Sequence, residues 1–585
     1  MVMGAAAYLA FRLVDLEGAV SPVDRRVEAA MILFLTVSAF LLRGPGIGEI
    51  PPGVWVDEAV EGLQAGAALA GERLPDLADS SVMYPRWPVW WMLERLAVAV
   101  GGMTASAIRA PAVVVGTLSV PLAWWVVRSL AGPLAGLASA AFLAFSFWHI
   151  QLSRIGVAPV LLVPEILLAA WILFAPQKRE RRLAGLGAGA LCAIACSDYP
   201  AAYALPLWCG VTAVLMMLFP GEETGRGRRY AGRWIIGGIA GFMALVFLVP
   251  GIQALARLGR VNSVGFANPL DIVAQAVICL ANHFVPVGHT VFIWDGFPPG
   301  APRFSPVENI AWLSGLAGVL VRPGFSRWAR LALVAGVPLL LLPEMLPGTL
   351  GGVYLVRGTA SLGLMAILAG LSVRLWSPLA GRASLGVLCA VSVVSAWHMA
   401  GITYGPFARS ELSRRIYSGV AGDVADVIRV ISRQGPVSVF PPLSYAENPQ
   451  IAFHLWGEIR AGRVRAADAP PREDRALAVF LDPVGRQPVV ALVAARDFSR
   501  SRVVGLLDVQ AAMMEGQALE KGGKTAAAGA VYRMVARLIP AYREARIALG
   551  LVLIKQGKGA EGRQLLAEAG RQARLPAEIR AKLAQ

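Results

Sequence analysis

Long apolar windows with almost no charge limit most strongly what this chain can fold into. Windows such as Val157 to Ala175, Trp234 to Pro250 and Ala383 to His398 are long enough to cross much of a hydrocarbon core of about 30 Å. Hydrophobic residues make up 56% of the chain, whereas soluble globular proteins usually hold about 45 to 50%. The sequence therefore predicts a polytopic α-helical membrane protein.

The positive charge of the chain is distributed as membrane proteins distribute it. The net charge is +16 over 585 residues, but the basic residues stand in short runs between apolar spans rather than along one amphipathic face. The positive-inside rule accounts for such runs, because cytoplasmic connections are rich in Lys and Arg. We expect the lipid bilayer as a partner and no nucleic acid.

The basic runs also give the chain a threading. A first span from about Val27 to Leu42 starts from Arg25 and Arg26 inside, and the runs at 178–182 and 226–233 then also lie inside. The threading contains about eleven spans. It matches a multi-pass protein of the bacterial cytoplasmic (inner) membrane.

Two large loops and the tail lie outside the membrane in this threading. The loops cover residues 43–107 and 251–306, and the chain leaves its last span shortly before Tyr404. Residues 1–404 are therefore predicted to form the membrane domain, followed by an extracytoplasmic C-terminal part.

The first part of the tail, residues 405–507, reads as a small α/β module. A helix is expected at Val424 to Ser432, because its apolar residues recur with helical spacing. Short β-rich runs follow, separated by Pro, Gly and charged residues. These runs are Val437 to Phe440, Ala476 to Leu481 and Val489 to Val493.

The last part, residues 508–585, contains an internal repeat with a spacing of 34 residues. The paired positions are Gly516 and Gly550, Gly523 and Gly557, Tyr532 and Leu566, and Val535 and Ala569. That interval is typical of tetratricopeptide helix pairs. Two units bury little core of their own, so we expect them to pack on the preceding α/β module or on a partner. We also expect them to position the acceptor or an associated protein.

The first outer loop contains two adjacent carboxylates, Asp57 and Glu58, ahead of a helix-forming stretch. Such a pair suits the deprotonation of a hydroxyl, since one carboxylate can act as base while the other orients a partner or shifts its pKa. The alternative is that Asp57 only caps the helix it precedes.

The same loop continues with an aromatic stretch, Tyr84 to Trp91. Aromatics at this density favour an interfacial helix. Within the stretch, Arg86 could bind a lipid phosphate by a bidentate contact, or could snorkel to the interface. Tyr84 is a candidate substrate-binding residue.

Three runs of the sequence resemble bacterial GT-C glycosyltransferases related to protein O-mannosyltransferases and lipid A aminoarabinose transferases. The resemblance extends in order and spacing over roughly residues 27 to 400. The runs are Pro52-Gly53-Val54-Trp55-Val56-Asp57-Glu58-Ala59, Trp148-His149-Ile150-Gln151-Leu152-Ser153-Arg154-Ile155-Gly156 and Ser197-Asp198-Tyr199-Pro200-Ala201-Ala202.

The resemblance implies an active site in the first outer loop and a donor sugar carried on a polyprenyl phosphate. Asp57 takes the place of the catalytic aspartate, with Glu58 completing the acidic pair. The segment around Arg86 is similar to the Lys-Pro segment that meets the lipid phosphate, but it has Arg for Lys and one inserted residue. Arg357 falls where such proteins often place another outer-facing basic residue.

Other polar residues carry weaker expectations. Arg154 is a candidate for substrate binding, with interfacial anchoring as the alternative. A divalent cation at Asp57 and Glu58 is conceivable, since carboxylates suit Mg²⁺ or Mn²⁺, although the sequence shows no complete set of metal ligands. The loop 251–306 reads as a long irregular segment of the kind that binds or covers a ligand.

The sequence thus predicts transfer of a sugar from a polyprenyl phosphate to an acceptor hydroxyl of a protein, lipid or glycan. A transporter or flippase of lipid-linked sugars is the first alternative, since Glu165 and Glu344 are carboxylates within apolar segments. A scaffold that recruits a partner through the repeats is the second. A scaffold would not need the acidic pair, the arginine and the long loop together.

Overall fold

The computed structural model of the protein describes residues 25–72, 89–174, 181–219, 235–243, 269–281, 303–321, 325–345, 355–373, 390, 393–394, 397–398, 400–401, 404–405, 419–433, 437–440, 449–466, 476–481, 503–538 and 543–572. The chain divides into two compact units, Met1–Tyr417 and Ser418–Gln585.

The first unit is built from helices joined by short 3-10 turns. In chain order the helices are α1 (Arg25–Arg43), α2 (Val56–Leu69), α3 (Val89–Gly101), α4 (Ala105–Ala131), α5 (Pro133–Phe145), α6 (Phe147–Leu152), α7 (Leu162–Phe174), α8 (Arg181–Asp198), α9 (Ala204–Leu218), α10 (Pro269–Ala281), α11 (Pro306–Val321), α12 (Arg327–Met345) and α13 (Thr359–Leu371). The 3-10 turns are Ala158–Leu161, Pro200–Tyr203 and Leu355–Gly358.

Several of these helices have the length and composition of membrane spans. In the described part of the chain, three qualify: α4, the segment Ala201–Leu218 and α12. Shorter apolar helices lie at Pro133–Phe145, Ala158–Phe174, Ala184–Asp198, Pro306–Val321 and Thr359–Leu371. The prediction of a helical chain with several apolar helices is confirmed. The number of eleven spans stays a prediction, because parts of the windows Trp234 to Pro250 and Ala383 to His398 lie outside the described residues.

Helix α13 is the centre of the bundle, since every one of its residues is buried. Glycines allow its close approach to its neighbours. A Cβ atom at Gly363 would lie 3.0 Å from the carbonyl oxygen of Val163, and one at Gly370 would lie 2.6 Å from that of Ala135. Small residues at such crossings let helix backbones pack closely, which stabilises helix pairs in membranes where lipid supplies no hydrophobic driving force.

The predicted second outer loop contains a helix that the sequence pattern did not indicate. Residues 251–306 were predicted to be irregular, but they contain helix α10, Pro269–Ala281. This helix packs on α12, and its apolar residues, such as Cys279, reach the buried core. The correction has a simple cause, because a short apolar run cannot be assigned to a helix by periodicity alone.

The second unit begins with a parallel sheet. Helix α14 (Gly419–Ser432) precedes strand β1 (Val437–Phe440), helices α15 (Pro449–His454) and α16 (Trp456–Arg460), and strands β2 (Val464–Ala466), β3 (Ala476–Leu481) and β4 (Val503–Asp508). The strand order is β2-β1-β4-β3. All neighbouring pairs are parallel. The predicted run Val489 to Val493 lies outside the described residues.

The tail ends in four helices: α17 (Val509–Lys521), α18 (Thr525–Leu538), α19 (Arg543–Lys555) and α20 (Gly559–Gln572). Consecutive helices pack on one another. Tyr532 is fully buried and fills the space over Gly516, where a Cβ atom would clash with its ring. Gly516 and Gly550 of the repeat therefore lie against Tyr532 and Leu566 in helix contacts, whereas Gly523 and Gly557 lie in turns at positive φ. The tetratricopeptide assignment itself stays a prediction.

Candidate active site in the first loop

The loop after α1 ends in a capped helix that carries the acidic pair. The backbone N–H of Trp55 donates to Oε2 of Glu58 at 2.8 Å, and this contact closes the first turn of α2. Asp57 and Glu58 both lie in that turn. Carboxylates are favoured there because the free N–H groups give a helix N-terminus partial positive charge.

Glu58 is held in a buried ion pair with Arg109 of helix α4. The Arg109 Nε donates to Oε1 at 2.7 Å, and its Nη2 donates to Oε2 at 2.9 Å. Both side chains are 0% exposed. Two parallel hydrogen bonds of this kind fix the carboxylate in angle as well as in distance.

Arg109 also holds the turn that leads to α2. Its Nη1 donates to the carbonyl oxygens of Ile47 at 2.9 Å and Pro51 at 2.8 Å, and its Nη2 donates to Gly53 at 2.6 Å. Gly53 has a φ of 87°, which is accessible to glycine at little cost. One guanidinium therefore joins a membrane helix, the loop backbone and Glu58.

The second sequence run meets the first at Gly156. Its backbone N–H donates to Oε1 of Glu58 at 2.7 Å. A Cβ atom at this position would lie 2.5 Å from the carbonyl oxygen of Ile108, so the approach requires glycine. Each oxygen of Glu58 thus accepts two hydrogen bonds.

Arg154, from the same run, holds the beginning of the loop. Its Nη1 donates to the carbonyl oxygen of Arg43 at 2.6 Å, and its Nη2 donates to those of Pro45 at 2.9 Å and Ile50 at 2.8 Å. The side chain is 1% exposed. These contacts give Arg154 a positioning role within the protein, and its contact with substrate stays a prediction.

Arg43, at the end of α1, is a third buried arginine in this region. It donates to the carbonyl oxygens of Ala144 at 3.1 Å and Leu143 at 2.8 Å, and to the Ser153 hydroxyl at 3.2 Å. Its Nη2 lies 3.0 Å from Nδ1 of His149. The polar residues of the second run therefore anchor the loop to the helices beneath it.

The third sequence run supports helix α3 through Asp198. Its Oδ1 accepts from the backbone N–H groups of Val89 at 3.2 Å and Trp90 at 3.1 Å. This is the position of an N-terminal helix cap, where a carboxylate satisfies N–H groups that have no partner within the helix.

Asp57 shares one face of α2 with a further acid, Glu61. Residues four apart on a helix are neighbours, with Cβ atoms about 5 to 6 Å apart. Asp57 and Glu61 are both half-buried, whereas Glu58 is fully buried. Oε2 of Glu61 accepts from the Trp90 indole Nε1 at 2.6 Å.

The surroundings of Glu61 favour its protonated form. Burial raises the pKa of Glu61 well above its ordinary value, and the negative charge of Asp57 raises it further. Burial also raises the pKa of Glu94 on α3, with the Glu61 carboxyl as the next cause. Glu61 and Glu94 therefore hold a proton to a higher pH than an exposed glutamate does.

Arg357 lies in the turn Leu355–Gly358, beside a second buried ion pair. This pair joins Arg303 and Glu344, with an Arg303 Nη1 to Glu344 Oε2 distance of 2.6 Å. A Cβ atom at Gly358 would clash with the Glu344 carboxylate, so the turn rests directly on the pair. Arg303 also stacks over Trp148 at 5.0 Å, which connects this pair to the second sequence run.

The structure thus places Asp57 and Glu58 in the first turn of α2, Arg154 against carbonyl groups at the beginning of the same loop, and Arg357 just before the central helix α13. Tyr84 and Arg86 lie outside the described residues. Three residues of the site were not assigned a role from the sequence: Arg109, Glu61 and Asp198. The spacing of Glu61 from Asp57, and a lone arginine at the start of an apolar span, were signals for two of them.

The predicted cation site does not fit Glu58. Its carboxylate oxygens are already occupied by four hydrogen bonds from Trp55, Arg109 and Gly156. Among the described residues, no group of three or more His, Cys, Asp or Glu side chains is placed to hold a metal ion. We therefore derive no catalytic step through a cation.

Comparison with known proteins gives one family match and several structural neighbours. Residues 85–250 match the model of the dolichyl-phosphate-mannose-protein mannosyltransferases. The match contains the second and third sequence runs and begins after the first. No curated protein matches the sequence.

Two solved structures illustrate the similarity of the fold. ArnT from Cupriavidus metallidurans bound to undecaprenyl phosphate has 11% identity and a TM-score of 0.44, with 76% of this chain and 90% of that chain covered. The Archaeoglobus fulgidus oligosaccharyltransferase tethered with an acceptor peptide has 10% identity and a TM-score of 0.47, with 82% of this chain and 64% of that chain covered.

The family match confirms, for the stretch it covers, the relationship predicted from the three runs. Through residues 85–250 the chain is similar to the dolichyl-phosphate-mannose-protein mannosyltransferases.

Proposed function

We propose that the protein transfers a sugar from a polyprenyl-phosphate donor to an acceptor hydroxyl on the extracytoplasmic side of a bacterial inner membrane. The observation that carries the proposal is the unequal placement of two adjacent carboxylates. Glu58 is fully buried and paired with Arg109, while Asp57 is half-buried at the first turn of a rigidly held helix. The Glu58 carboxylate stabilises the loop, and the adjacent Asp57 carboxylate is accessible to a substrate.

Asp57 is the base in the proposed reaction. It removes the proton of the acceptor hydroxyl as the oxygen attacks the anomeric carbon, which contributes about 10² to 10⁴ in rate. The bond from that carbon to the phosphate oxygen breaks, and the lipid phosphate leaves with the electron pair. The configuration at the anomeric carbon inverts, since the acceptor attacks opposite the leaving group.

Positive charge is needed where the phosphate leaves. Arg86 and Arg357 are the proposed donors, because preorganised positive groups act most strongly where negative charge develops. Arg357 has a defined support in the Arg303–Glu344 pair under Gly358. Tyr84 is proposed to contact the substrate near Arg86.

The contacts of Glu344 argue against transport as the function. A carboxylate within a span would serve transport as an exchangeable charge. Glu344 is instead 0% exposed and bound by both terminal nitrogens of Arg303. This pairing suits a structural role beside the Arg357 turn, and it favours the transferase.

We propose that the C-terminal helices position the natural acceptor or a protein partner. Residues 509–572 form helix pairs with their own small core around Tyr532 and Leu549. Stacked helix pairs typically bind partners on an extended face. The reaction chemistry needs nothing from this part of the chain.

Replacing Asp57 by Asn is expected to abolish transfer while leaving the fold intact. Asn keeps the size of Asp but removes the base, and the N-cap position is Trp55 rather than Asp57. The turnover of a purified variant with a lipid-phosphate sugar and a hydroxyl acceptor should fall by about 10² to 10⁴. Glu72→Gln, which removes an exposed charge at the end of the same loop helix, is the matched control. Near-normal turnover of Asp57→Asn contradicts the assignment.

Glu58→Gln is expected to impair transfer by a different route. It leaves the buried Arg109 charge without its counter-charge, and breaking such a pair costs about 3 to 5 kcal/mol. Its thermal unfolding temperature should therefore fall, whereas that of Asp57→Asn should not. Equal stability of the two variants would show that the Arg109 pair does not support the loop.

Arg357→Ala is expected to reduce transfer by about 10²-fold, the usual effect of removing one group that stabilises developing charge. Arg330→Ala removes a charge from the other end of α12 and should leave transfer unchanged.

Gly358→Ala should raise the KM for the donor, because its methyl group displaces the turn from the Glu344 carboxylate. A normal KM for the donor in both Arg357→Ala and Gly358→Ala would exclude this turn from donor binding.

Deletion of residues 508–585 is expected to separate two activities. Transfer to a small hydroxyl acceptor should persist, and modification of the natural acceptor should fall. Equal loss of both would assign the tail a structural role, and unchanged activity toward both would refute recruitment. The two acceptors are assayed side by side by product mass.

A further inference from the structure

Trp148, the first residue of the second sequence run, lies between the two parts of the proposed site. Its side chain is 0% exposed. The last residue of the same run, Gly156, donates its backbone N–H to Glu58 at 2.7 Å. The guanidinium carbon of Arg303 lies over the Trp148 ring, 5.0 Å from its centroid. One short segment therefore contacts the acidic loop at one end and the second buried ion pair at the other.

Arg303 is held against this ring by its own chain. It comes just before helix α11, whose first turn is closed by Ser305 and Glu308. The backbone N–H of Ser305 donates to Glu308 Oε2 at 2.7 Å, and the backbone N–H of Glu308 donates to Ser305 Oγ at 3.3 Å. Phe304 is 0% exposed, and its ring centroid lies 5.5 Å from that of Trp148. This reciprocal capping fixes the chain that enters the helix.

The ion pair and the aromatic contact act on the same guanidinium. Glu344 accepts from both terminal nitrogens of Arg303, while one face of the planar group lies over Trp148. Such a group is bound along its edge and attracted by a ring on its face, so its orientation is defined. A Cβ atom at Gly358 would clash with Glu344 and lie 3.3 Å from Nη1 of Arg303. The residue before this glycine is Arg357.

We propose that Trp148 is a positioning residue, which sets the place of the Arg357 turn relative to the loop that carries Asp57. The inference rests on the proposed function, in which these two residues meet the leaving phosphate and the acceptor hydroxyl. Both must act on one donor molecule, and a misplacement of about 1 Å can cost about 10²-fold in rate. Because Trp148 is fully buried, it acts through Arg303 rather than by contact with a substrate.

Trp148→Leu is expected to raise the KM for the donor by about tenfold, because Arg303 loses the aromatic face that orients it. The KM for the acceptor should stay unchanged, since the contacts of the acidic loop with Gly156 remain. Trp148→Phe keeps an aromatic ring and should restore most of the donor affinity. A purified variant with a lipid-phosphate sugar and a small hydroxyl acceptor gives both constants.

Trp208 provides the matched control for the loss of a buried indole. It is also 0% exposed, and its Nε1 donates to the carbonyl oxygen of Ala332, near the start of α12, at 2.8 Å. Trp208→Leu should lower the thermal unfolding temperature as Trp148→Leu does, but it should leave the KM for the donor unchanged. An unchanged donor KM in Trp148→Leu, or an equal rise in Trp208→Leu, overturns the proposal.

Modification of Arg357 by phenylglyoxal, followed by peptide mass spectrometry, tests the positioning without turnover. The rate at Arg357 should rise in Trp148→Leu and stay at the wild-type value in Trp208→Leu. A polyprenyl phosphate without sugar should protect Arg357 in the wild type. If the rate rises in Trp148→Leu but the lipid gives no protection, the positioning stands and the donor-binding role of Arg357 fails. An unchanged rate in Trp148→Leu overturns the inference, even where the wild type transfers sugar.

Discussion

The buried ion pair between Glu58 and Arg109 is the contact on which the first loop depends. Burying two charges is costly unless their hydrogen bonds are satisfied. Here Glu58 accepts from Trp55 and Gly156 as well as Arg109, and Arg109 also donates to three loop carbonyl groups. A segment without regular structure is thereby fixed to a membrane helix. The contacts of Glu58 and Arg109 also fix the position of Asp57, because Asp57 is adjacent to Glu58 in the same helical turn.

Three neighbouring carboxylates receive different tasks from their surroundings. Glu58 is paired with Arg109, burial raises the pKa of Glu61, and Asp57, which precedes both in sequence, is half-buried. Pairs of acids whose environments push their pKa values apart are a common basis for acid and base roles. Residue type alone does not distinguish the roles of the three acids. Their contacts with Arg109 and Trp90 distinguish them.

The sequence predicted those features that depend on local pattern. Apolar windows predicted helices, β-rich runs predicted strands such as Val437–Phe440, and the adjacent carboxylates Asp57 and Glu58, with the family resemblance, predicted the candidate base. Contacts between distant segments were not predictable. Arg109 lies 51 positions from Glu58, and Asp198 lies 108 positions from Trp90. One chain contains no signal for which charges meet, and helix α10 was missed because its apolar run is short.

Asp57 is the proposed base for sugar transfer outside the membrane. Mass spectrometry of extracytoplasmic glycoproteins and glycolipids tests it most directly, with cells that contain the wild type, Asp57→Asn or no protein. If Asp57 is the base, one sugar modification should be present only in cells with the wild type. Its mass and attachment site identify the sugar and the acceptor. A set of glycans that is identical in all three cells, or a modification that persists with Asp57→Asn, would contradict the account.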